Sequence, residues 1–64
     1  MKNERTRERC KAAIERRIRH YGLMKNAEDK LSAWYLATGY IEAMYDAEMI
    51  ELDEYNDYMR RLEA

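Results

Sequence analysis

Few side chains in this 64-residue sequence could carry chemistry: one cysteine, one histidine, and separate sets of arginines and carboxylates. Cys10 lies between Arg7 and Lys11, whose charges would favour a thiolate nucleophile. It also falls on an apolar helical face, where a small cysteine is an ordinary packing residue. His20 follows Arg19 near the end of a predicted helix. The helix dipole favours a cation there, so it reads as a surface residue. Glu42 and Asp46 stand four apart on one helical face, and Asp53, Glu54 and Asp57 crowd the next segment. Such carboxylates suit calcium or magnesium. The sequence has no Asp-x-Asp-x-Asp-Gly loop and no Glu-x-x-His pair near them, so no metal is expected. No nucleophile–base pair or phosphate-cradling loop is apparent either. The expectation is a protein that is not an enzyme and carries no cofactor.

The charges are segregated along the chain. Residues 1–20 carry eight basic and three acidic side chains, and residues 42–57 carry seven acids and no base, although the whole chain sums to −1. Arg5, Arg9, Arg16 and Arg19 would line one side of a helix, able to meet successive phosphates. Glu4, Glu8 and Glu15 flank them and the total is not basic, so nucleic acid is the less favoured partner. The acidic end supports a different reading. Glu42, Asp46, Asp53, Glu54 and Asp57 form an acidic surface that could imitate a phosphate backbone and occupy a basic groove on a nuclease or defence complex. Otherwise they are a solvated face.

The aromatic inventory is six tyrosines and one tryptophan without phenylalanine, beside five methionines. Tyrosine needs a hydrogen-bond partner when buried, so a chain using only Tyr and Trp points to half-wet surfaces. Protein interfaces are enriched in Tyr, Trp, Met and Arg. The candidate partner-binding residues are Trp34, Tyr35, Tyr40, Met44 and Tyr45. The plain alternative is that a tiny bundle has no deep interior and keeps its aromatics at the rim.

Helices must position all of these groups. The sequence has no proline and only Gly22 and Gly39, which favours long uninterrupted helices. The first is expected over about 3–21. Cys10, Ile14, Ile18 and Tyr21 share a face beside Ala13, and Gly22 takes a left-handed C-terminal cap with Leu23 folding back over the last turn. Glu15 and Arg19 would pair along its surface. The second is expected over about 27–48, with Asn26 as N-cap. It is apolar on two sides. Leu31, Trp34, Tyr35, Ile41, Tyr45 and Met49 form one. Ala33, Leu36, Ala37, Tyr40, Ala43, Met44 and Ala47 form the other. A helix of that kind is packed on both sides. Its alanine side would admit another backbone, and Gly39 would mark a close contact. The third is expected over about 52–62, with Tyr55, Tyr58, Met59 and Leu62 inward. The short join after the second helix implies an antiparallel hairpin.

The segment from Asp46 to Tyr55 resembles the helical hairpin of bacterial short C-terminal (SHOCT-type) domains, over about residues 42–62. Glu48 stands where that family carries its turn glycine, and Glu51 where it carries a Ser/Thr cap. The whole chain resembles small proteins of phages and mobile elements. That resemblance implies a possible genomic context, and the phosphate-mimic reading is of the anti-CRISPR kind found there.

One domain over 1–64 is the size limit, and so short a chain has a thin stability margin. A single cysteine excludes an internal disulfide, which leaves helix packing and self-association to stabilise it. The charged start shows no signal-peptide pattern. No uncharged stretch is long enough to span a bilayer, so no membrane role is expected. The free cysteine suits a reducing, cytoplasmic setting. The expectation is an all-α, small three-helix bundle, oligomeric (a homodimer in the simplest case), working as a non-enzymatic protein-binding or regulatory module.

Overall fold

The computed structural model describes residues 3–63; Lys2, counted above among the basic residues, lies outside them. Three helices are present, α1 (Glu4–Leu23), α2 (Ala27–Asp46) and α3 (Leu52–Arg61), with no strand among the described residues. Asn3 caps α1 by accepting the Thr6 N–H at its Oδ1, 2.8 Å away. Asn26 caps α2 the same way, accepting the Asp29 N–H at 2.8 Å. Each satisfies an N–H that the first helical turn leaves unpaired.

The helix ends depart from expectation. Gly22 is the second-last residue of α1, not its left-handed cap, and Leu23 is exposed. The chain turns through extended backbone at Met24 and Asn26 (ψ 136° and 158°), so a glycine conformation is not required. α2 stops at Asp46, two residues early. Glu48 takes φ 62°, its N–H reaches the Tyr45 carbonyl at 3.0 Å, and the Met49 N–H reaches the Met44 carbonyl at 2.9 Å. This is a Schellman cap with glutamate at the left-handed position. α3 then begins after Glu51, whose N–H donates to Glu54 Oε1 at 2.8 Å, one half of a capping box.

Ile14, Ala37, Ile41, Ile50, Tyr58 and Leu62 form the core, with Ile18, Tyr21, Trp34, Tyr40, Met44, Tyr55 and Met59 packed around it. The inner faces expected for α1 and α3 are the observed ones. That of α2 cuts across both predicted flanks: Ala33, Ala37, Thr38 and Ile41 are buried, while Leu31, Tyr35 and Leu36 are exposed. Ala37 shares the core cluster with Ile14 of α1, and Ala33 and Ala13 are buried as well. Buried Thr38 is satisfied locally, its hydroxyl donating to the Trp34 carbonyl at 2.9 Å.

Cross-helix polar contacts tie α1 to the far end of the chain. Arg7 Nε donates to the Met49 carbonyl at 3.0 Å. Glu54 pairs with Lys11 at 2.6 Å and Arg7 at 3.3 Å. Glu15, expected to pair with Arg19, instead receives both Arg61 nitrogens at 2.7 and 2.9 Å. A forked guanidinium from a neighbouring helix offers two parallel bonds, which an i,i+4 partner on the same helix rarely matches.

Candidate protein-docking surface

Once α1 covers the inner side of α2, the outward side is left bare. Ser32, Leu36, Gly39, Ala43 and Asp46 recur there at alternating four- and three-residue steps, the spacing of a helix-pairing seam. Leu36 is 65% exposed and Tyr35 63%, while Leu31, 55% exposed, stands one turn before Tyr35 on the margin towards Tyr21. A Cβ built on Gly39 would meet nothing within 4 Å. Gly39 therefore makes no close contact within the described part of the chain. A mid-helix glycine weakens the helix by about 1 kcal/mol relative to alanine. Glu28, Glu42 and Asp46 border this face, and all three are exposed.

The five candidate partner-binding residues separate. Tyr35 stands fully on the outward face. Trp34 meets it edge-on, ring centroids 5.3 Å apart, but packs its other side on the core. Tyr40 and Met44 also border the core, and the Arg17 guanidinium sits 4.0 Å from the Tyr40 ring centre. Tyr45 is partly exposed and lies tilted against Tyr55, centroids 5.0 Å apart. Leu31, Leu36 and Gly39 complete the outward face and were not among the five. Leu36 and Ala43 stood on the alanine-lined predicted flank, but Ser32, Gly39 and Asp46, which complete the four-three spacing, were on neither.

The basic candidates stay together. Arg5, Arg9, Arg16 and Arg19 are all exposed on the side of α1 away from the core, and none forms an ion pair among the described residues. Arg5 and Arg19 are 14 residue steps apart, about 21 Å of helix. The acidic candidates divide. Glu42, Asp46 and Asp53 are exposed. Asp57 pairs with Arg60 at 3.6 Å in the open. Glu54 does not belong to a free acidic surface: it is partly buried between α1 and α3. The Lys11 hydrogen bond, then the Glu51 N–H, hold its carboxyl below the usual range.

Two shallow hollows open on the surface. One of about 620 Å³ is walled by Arg7, Tyr45, Asp46, Ile50 and Leu52 at the α2–α3 turn. Another of about 390 Å³ lies between Tyr21, Leu31 and Trp34, beneath Lys30, whose ammonium sits 4.8 Å from the Tyr21 ring centre. The first is also lined by Glu48 and Glu51. Cys10 is a free, half-buried thiol, and the cations that could activate it, Arg7 and Lys11, both engage Glu54. His20 is exposed in the last turn of α1. Among the described residues, no three His, Cys, Asp or Glu side chains are gathered as for a metal ion. No helix of the described residues is long and apolar enough to cross a membrane. Compared with protein-family models, curated proteins and solved structures, the chain matches none.

Proposed function

We propose that this chain is a non-enzymatic protein-binding module that self-associates, and that its docking face is the outward side of α2. The carrying observation is the exposure of Leu31, Tyr35 and Leu36 around Gly39, with open space where a Cβ would stand. Exposed apolar side chains arranged contiguously, rather than singly, mark interaction surfaces. The bundle behind this face holds α2 and α3 as an antiparallel hairpin of the SHOCT kind. A cytoplasmic setting and a mobile-element origin belong to the same reading.

Tyr35→Glu/Leu36→Glu tests it. Both side chains project into solvent, so the variant keeps its helicity by circular dichroism. Sedimentation equilibrium should show association for the wild type and a monomer for the variant. A variant that associates as the wild type does removes α2 as the docking face.

One observation favours a second reading, a nucleic-acid-associated regulator acting through α1. The four exposed arginines form no ion pair among the described residues. Binding to DNA or RNA would strengthen as salt falls. Absence of binding to duplex and single strands at low salt removes this reading.

A further inference from the structure

The outward faces of α1 and α2 are complementary in spacing and in charge. On α1, Arg5, Arg9, Ala12, Arg16, Arg19 and Leu23 follow one another at steps of four, three, four, three and four, and all are exposed. On α2 the seam through Leu36, Gly39 and Ala43 has the same rhythm. Each face has a small residue at its centre, Ala12 on α1 and Gly39 on α2. The α1 face is bordered by arginines, with Glu4 and Glu8 on one margin only. The α2 face is bordered by Glu28, Glu42 and Asp46 and by no base; Lys30, the helix's only cation, lies over Tyr21.

We infer that α1 of one copy docks across α2 of the next, with Ala12 against Gly39, so that the protein associates head to tail. This inference rests on the α2 docking face proposed above and names its occupant. Two α2 faces packed together would bring Glu28, Glu42 and Asp46 of each copy to an interface that offers no base, and gathering like charge opposes association. Basic α1 removes that conflict. The chemistry already occurs inside the molecule, where Ile14 of α1 and Ala37 of α2 share the core and the Arg17 guanidinium sits over Tyr40. Tyr35 and the arginine stems repeat it between copies. The inner sides of α1 and α2 pack on each other, so the two outward faces point in opposite directions. A copy therefore cannot satisfy both against one neighbour, and the contact propagates into chains or rings.

Two variants with one face disabled test the inference. Arg9→Gln/Arg16→Gln weakens the α1 face, and Gly39→Lys blocks the α2 face with bulk and like charge. Neither touches a buried residue, and circular dichroism checks that both fold. By sedimentation velocity at low salt, the wild type should grow with concentration, and several hundred millimolar salt should weaken it by about tenfold. Each variant alone should be monomeric. Their mixture should form a one-to-one dimer that grows no further, because each supplies the face the other lacks. A mixture that stays monomeric overturns the inference. So does an arginine variant that associates as the wild type does; if the Gly39 variant is then monomeric, the α2 docking face stands and only its occupant is wrong. A wild type monomeric throughout also overturns it. In that case, binding to a basic helical peptide assigns α2 to another protein, and binding to DNA assigns the arginines to nucleic acid.

Discussion

Glu48, with φ 62°, is the one non-glycine in the left-handed region among the described residues. A left-handed conformation costs an ordinary L-residue about 1–2 kcal/mol, and glycine escapes most of that. The position cannot relax, because the Glu48 and Met49 N–H groups close α2 on the Tyr45 and Met44 carbonyls. Glu48→Gly should therefore stabilise the fold by about 1 kcal/mol, raising the melting temperature by about 4–8 °C in a domain this small. An unchanged or lower melting temperature would mean that the glutamate side chain contributes something the geometry does not reveal. The sequence marked this site only through the glycine that the resembling hairpins carry there.

Two small residues of α2 separate its inner and outer sides at the scale of the element. Ala37 has no exposed surface and faces α1, while Gly39 faces open space. Adding volume should have opposite effects. Ala37→Leu forces extra methylenes into a closed seam and should cost about 1–3 kcal/mol. Gly39→Ala removes backbone freedom without meeting a neighbour and should stabilise an isolated copy by about 1 kcal/mol. Urea titration of dilute protein checks both. A destabilising Gly39→Ala would show that something already lies against that face in the folded copy.

The three helices are joined by carboxylates as well as by the core, which makes the whole molecule sensitive to acid. Glu54 is held below its ordinary value of 4.5 by Lys11 and the Glu51 N–H, and Glu15 is held below its own by Arg61. A depressed carboxylate contributes stability above its unfolded pKa and loses it as pH falls through the folded one. The fold should thus weaken as pH drops below about 4.5, with α1 losing its ties to α3. Glu54→Gln should cost about 1 kcal/mol at neutral pH, a modest figure because the pair is partly exposed, and should flatten the acid limb. Thermal melts of both proteins across that pH range measure it; parallel curves would show that Glu54 is not the titrating group. Tyr58 acts at the other extreme: burial raises its hydroxyl above the ordinary 10.0, so its contribution is full below that pH and is lost as pH climbs through the raised value.

Local physics in the sequence determined three helices, the Asn26 cap of α2, the inward residues of α1 and α3, and the outward arginine stripe. Those features depend on spacing along one helix, and periodicity carries that information. The faces of α2 were not legible, because that helix is apolar nearly all round and periodicity alone does not choose a direction. Only packing decided that Ala33 and Ala37 turn inward, that Leu36 and Gly39 are left bare, and that Glu54 and Glu15 find partners more than forty residues away. Such choices depend on which helix lies alongside, and distance along the chain does not encode that.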